Sequence, residues 1–148
     1  MGKRRRAREA AIQYHFWLDL QHGETPEEMA DFWEFCPATS SVREFAQPLI
    51  QGMREHLADI DERIRRYCEN YNLNRISAVD RNVLRLAIFE MLYRDDIPPV
   101  VSINEAIELA KKFGGADSGR FVNGILDRVK SELTRPSREA LTKQERIA

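Results

Sequence analysis

The sequence predicts an all-α protein of seven amphipathic helices arranged as two packed helical bundles. Three observations carry that expectation. Apolar residues recur at intervals of three and four along most of the 148 residues. Capping signals precede several of those runs. The one strand-like run, Ile97-Pro98-Pro99-Val100-Val101, is interrupted by two prolines and reads as a short extended connector.

The first helix spans about Arg5 to Leu20, with Ala7, Ala10, Ala11, Tyr14, Trp17 and Leu18 on one face. Thr25-Pro26-Glu27-Glu28 forms a capping box with proline at the first helical position. It opens a second helix that buries Met29, Phe32, Trp33 and Cys36 and stops at Pro37. Ser41 and Glu44 suggest another box ahead of Phe45, Leu49, Ile50, Met53 and Leu57, with Pro48 implying a late start or a kink. Asp59 and Glu62 introduce a fourth helix, whose stripe Ile60, Ile64, Tyr67, Cys68 and Tyr71 runs to about Asn72. Ser77 and Asp80 open the most apolar helix, through Val83, Leu84, Ala87, Ile88, Met91 and Leu92. Ser102 and Glu105 read as a capping box for a helix burying Ile103, Ala106, Ile107, Ala110 and Phe113, which ends at Gly114-Gly115. The last helix starts near Asp117 or Ser118 and buries Phe121, Val122, Ile125, Leu126 and Val129. Residues 1–136 are therefore expected to form one helical domain with a basic arm at 1–8, and 137–148 a polar, mobile tail.

Charge is distributed unevenly. Lys3, Arg4, Arg5, Arg6 and Arg8 fall within the first eight residues without an acid, leaving 18 basic against 24 acidic side chains in the remainder. A net charge of −1 thus conceals a cationic end, which suits a polyanion reached through the arm; a solvated tail is the plain alternative. No apolar run approaches the ~20 residues of a membrane span. Gln13, His15, Asp19 and Gln21 follow the basic start, so no signal-peptide core is present and a cytoplasmic location is expected.

No catalytic constellation emerges. His15, His22 and His56 are scattered, and Gly114-Gly115 with Gly119 lacks the Lys-Ser/Thr of a phosphate-cradling loop. Asp95 and Asp96 look like a helix end. Cys36 and Cys68 stand 32 residues apart without further ligands nearby, and each lies on an apolar stripe; buried structural thiols fit better than a disulfide or a metal site. A non-enzymatic protein without cofactor or metal is expected.

Three segments resemble the NusB family. Arg4-Arg5-Arg6-Ala7-Arg8-Glu9-Ala10-Ala11 is similar to its arginine-rich start, and Val83 to Glu90 to its central helix. The most specific strings are Ile103-Asn104-Glu105-Ala106-Ile107-Glu108-Leu109-Ala110-Lys111-Lys112-Phe113-Gly114 and Phe121-Val122-Asn123-Gly124-Ile125-Leu126-Asp127. The similarity runs over about residues 4–130 and is reduced to helix pattern over 22–58. It implies the seven-helix NusB-like fold and a transcription antitermination factor that binds single-stranded boxA RNA of ribosomal RNA leader transcripts. NusE, also a small-subunit ribosomal protein, is the implied protein partner, and the pair joins an RNA polymerase antitermination complex. The same fold also occurs as the N-terminal domain of a ribosomal RNA cytosine methyltransferase; this chain has the length of the stand-alone factor.

Arginine suits phosphate because its planar fork donates in pairs and stays charged. Lys3, Arg4, Arg5, Arg6 and Arg8 are therefore candidates for gripping the RNA backbone. By resemblance, Lys112, Asp117, Ser118, Arg120 and Phe121 form the region that reads bases, by stacking and edge hydrogen bonds. Phe121 equally continues a core stripe, Asp117 equally serves as an N-cap, and Asn123 and Gly124 equally serve close helix packing. Phe16 and Glu90 are the candidates for the NusE surface, although Phe16 lacks the tyrosine hydroxyl common in the family. A protein-interaction adaptor, or a homodimer closed through Phe16 and Trp17, remains the alternative to direct RNA binding.

Overall fold

A computed structural model describes residues 2–20, 28–68 and 76–133. Among them the chain forms seven helices: α1 (Lys3–Leu20), α2 (Glu28–Phe35), α3 (Ser40–Glu55), α4 (Leu57–Tyr67), α5 (Ala78–Tyr93), α6 (Pro99–Gly114) and α7 (Ala116–Glu132). No strand occurs among the described residues. Helix α5 packs against α1, α3, α4, α6 and α7, while α1 also packs on α3 and α6 on α7. The two helical groups share α5 and one continuous core running from Ala7 to Val129.

That central position explains the composition of α5. Residues Asn82 to Met91 are all buried, as expected for a helix apolar nearly all round. Its polar members survive there because each is partnered. Arg85 donates to both Asp61 oxygens at 2.8 and 3.0 Å and also reaches Asp19 and Asn82. The network ties the end of α1 and the face of α4 to α5.

Several helix starts differ from the expected ones. Helix α3 begins at Ser40, capped by Thr39, whose Oγ1 accepts from the Val42 amide at 3.3 Å, and it continues through Pro48. Helix α4 begins at Leu57, so Asp59 lies in its first turn rather than at its cap. Helix α6 begins at Pro99, where a missing N–H and a fixed φ cost nothing at the first helical position. Ser102 and Glu105 consequently stand inside α6 and use their side chains laterally. Helix α5 does start on its expected cap, with Ser77 Oγ accepting from the Asp80 amide. Residues 25–27 of the expected box and the stretch containing Tyr71 and Asn72 lie outside the described residues, as does the tail from 137.

Both cysteines are free. The Cys36 thiol donates to Gln13 Oε1, and burial pushes the Cys68 thiol pKa up.

His15 offers a test of the α1–α3 packing. Its ring is 2% exposed, and Nε2–H donates to the Ile50 carbonyl at 3.2 Å. Burial pushes its pKa down to about 4, against the opposing effect of that hydrogen bond. The folded protein therefore holds it neutral while the unfolded chain protonates near 6.5. Its contribution is fully present above pH 6.5 and is lost as pH falls towards 4. The loss should reach about 3 kcal/mol. His15→Gln should flatten the pH dependence of the urea midpoint in that window; an unaltered dependence would contradict the assignment.

Candidate nucleic-acid interface

The basic residues read as an arm are the first turns of α1. Arginine and lysine are good helix formers, which favours this outcome. Their position is electrostatically poor, because cations at a helix N-terminus oppose the macrodipole and the first turn contains no acid. Three carboxylates offset the charge, one on α1 itself and one each on α5 and α6. Glu105 of α6 accepts from Arg5 Nε and Nη2 at 3.0 and 2.6 Å. Glu9, 2% exposed, accepts from Arg6 at 3.2 Å and from Lys112 Nζ at 2.7 Å. Glu90 of α5, 1% exposed, accepts both arms of the Arg8 fork at 2.8 and 2.9 Å and the Ser102 hydroxyl at 2.8 Å.

These contacts separate the basic residues into two kinds. Arg8 is buried and bound edge-on to Glu90, so its guanidinium offers no surface to phosphate. Arg6 and Lys112 keep about half of their side chains in solvent (46% each). Glu9 holds these two cations, from α1 and α6, beside one another. Lys3 and Arg4 are exposed, and Arg5 is partly so. The outcome is a cationic face built from the start of α1 and the end of α6.

Helix α7 starts against that end of α6. Gly115 takes φ +93°, a left-handed conformation that favours glycine, and reverses the chain between the two helices. A Cβ at Gly114 would lie 2.3 Å from Ser118 Oγ, so the glycine admits this close approach and Ser118 is buried. Asp117 and Arg120 pair with each other in solvent, with Asp117 in the first turn and Gly115 at the N-cap. Phe121 is half-buried and packs against the core. Asn123 and Gly124 are exposed, and a Cβ on Gly124 would meet nothing, so close packing does not require that glycine.

Phe113, expected in the core, is 37% exposed, and Lys112 Nζ stands 5.5 Å from its ring centroid. It adds an aromatic edge to the cationic face. Of the two residues assigned to a protein partner, Phe16 is 37% exposed on α1. Glu90 is beneath the surface as the counter-ion of Arg8, where no partner reaches it. Sequence reasoning missed Glu9, Glu105 and the burial of Arg8. A signal was present: on a helix, Arg8 lies four residues before buried Ile12 and seven before buried His15.

The sequence profile of the NusB family matches residues 5–131. The chain is 44% identical to the transcription antitermination protein NusB of Myxococcus xanthus over 140 residues, spanning 92% of this chain and 100% of that protein. Among solved structures, T. maritima NusB superposes with a TM-score of 0.79 at 41% identity, covering 98% of this chain and 97% of that one. A structure of antitermination factors NusB and NusE in complex with double-stranded RNA gives 0.79 at 25% identity, covering 90% and 99%. On the family match, the extent of the identity and the shared fold, this chain belongs to the NusB family.

Proposed function

We propose that this protein is a non-enzymatic, RNA-binding antitermination factor. It takes boxA RNA of ribosomal leader transcripts on the α1–α6–α7 face together with NusE, and the pair joins RNA polymerase. The observation that carries this reading is the clustering of cations at the start of α1 and the end of α6, where buried Glu9 holds Arg6 and Lys112 side by side. A helix N-terminus loaded with cations is a costly arrangement in isolation, and it becomes favourable when a polyanion binds. The start of α7, which has no side-chain cap, adds the positive end of its helix dipole to the same attraction. Phosphate contacts from Lys3, Arg4, Arg6 and Lys112 supply affinity, while Asp117, Arg120 and the exposed edge of Phe121 face bases. Exposed Phe16 offers NusE an aromatic anchor on α1, the residue type favoured at such contacts.

Titration of boxA and scrambled RNA, with and without NusE, tests the reading. Binding of boxA that strengthens with NusE is expected. NusE binding without RNA binding would favour a protein adaptor, and a homodimer unable to bind RNA would favour self-association. Asp117→Asn refines the test, since it releases Arg120 from its ion pair and removes a carboxylate from the path of the strand. The variant should bind all RNA up to about fivefold tighter and alter the boxA-to-scrambled ratio, with an unchanged melt. Constant affinity and constant ratio would remove the start of α7 from the interface.

A further inference from the structure

A small cleft opens beside the cationic face, between the start of α1, α3 and the α5–α6 connector. Arg4, Ala7, Phe45, Leu49, Arg94 and Ile97 line it, and its volume is about 110 Å³. That is well below the ~300–1,000 Å³ of a pocket for a whole small-molecule ligand, so it suits one ring-sized group. Phe45 is 39% exposed on α3 and faces the Arg4 guanidinium, whose carbon stands 5.3 Å from the ring centroid. The Arg4 guanidinium makes no side-chain hydrogen bond among the described residues, in contrast to those of Arg5, Arg6 and Arg8 on the same helix turns. Arg94 is held by both oxygens of Asp96 at 3.0 Å, which keeps the rim polar and ordered.

We infer that this cleft seats a single RNA base, stacked on Phe45 in place of the Arg4 guanidinium, which then turns to the adjoining phosphate. The inference rests on the RNA-binding reading above and extends its track beyond the α6–α7 end. Continuity with the cationic face and the exposed Arg4 guanidinium, free to turn to a phosphate, argue for a nucleotide rather than a peptide side chain. Aromatic stacking accepts any base, so the seat contributes affinity with little sequence preference.

The experiment compares wild type, Phe45→Leu and Arg4→Ala on a single-stranded leader-derived RNA across a salt series, with a thermal melt of each. Phe45→Leu keeps an apolar side chain and removes the ring. It should weaken binding roughly 5- to 150-fold at an unchanged salt slope. Arg4→Ala should reduce the slope by about 0.7. On an RNA with an abasic position at the seat, wild type and Phe45→Leu should bind alike. Salt-dependent RNA binding by wild type with equal affinity in Phe45→Leu would overturn the base seat alone. Loss of NusE binding without loss of RNA affinity would overturn it in favour of a protein contact. Absence of RNA binding by wild type would overturn both readings.

Discussion

Arg8→Ala should destabilise the protein by about 3–5 kcal/mol, whereas Arg4→Ala, one turn earlier on α1, should cost under about 1 kcal/mol. The difference lies in what each residue touches. Arg8 and Glu90 are 5% and 1% exposed and share two hydrogen bonds below 3 Å. Truncating Arg8 leaves the Glu90 carboxylate buried with the Ser102 hydroxyl, while the desolvation it suffered on folding is no longer compensated. For a domain of this length the loss corresponds to a fall of roughly 6–20 °C in melting temperature. Replacing both partners with apolar residues, Arg8→Met with Glu90→Leu, should recover most of it, because the unpaired charge disappears with the pair. A melt for Arg8→Ala that matches Arg4→Ala would mean that the pair contributes nothing to the fold.

The second large effect concerns RNA. Arg6 and Lys112 are half-exposed and are held side by side through Glu9, at 3.2 and 2.7 Å. Each phosphate they neutralise releases condensed counterions, worth about 0.7 log units for a single strand at 0.1 M salt. Replacing both with alanine should therefore weaken RNA binding about 25-fold at that salt, for every sequence alike. Their shared partner Glu9 is 2% exposed, so the double variant also leaves a buried carboxylate unpaired and should melt lower; affinity is therefore compared at a temperature where both proteins are folded. An affinity within twofold of wild type would place the phosphate track elsewhere.

The helices were legible from sequence because α3, α6 and α7 pair strong apolar stripes with polar faces, and α5 is apolar on nearly every side. Their starts were less so. Ser102-x-x-Glu105 has the spacing of a capping box, yet Ser102 donates to Glu90 and Glu105 accepts from Arg5. Both contacts come from other helices, and local spacing carries no trace of them. The basic start was legible as a charge cluster, but not as two functions. Arg8 and Arg6 are identical in type and two residues apart, and only tertiary packing turns one onto a buried carboxylate. Phe113 went the other way: it fits the α6 stripe, but α6 turns at Gly114-Gly115 and leaves its ring beside Lys112 in solvent.

The salt dependence of RNA binding tests the cationic face most directly. Wild type should show a slope of log affinity against log salt near −2.8 for about four phosphate contacts, a loss of roughly 50-fold between 50 and 200 mM. The variant carrying alanine at Lys3, Arg4, Arg6 and Lys112, with Arg8 retained for the fold and Glu9→Gln added so that no buried carboxylate is left unpaired, should remain folded at the assay temperature and show a slope close to zero. A variant that keeps the wild-type slope would contradict the assignment, since phosphates would then be held by cations other than these four.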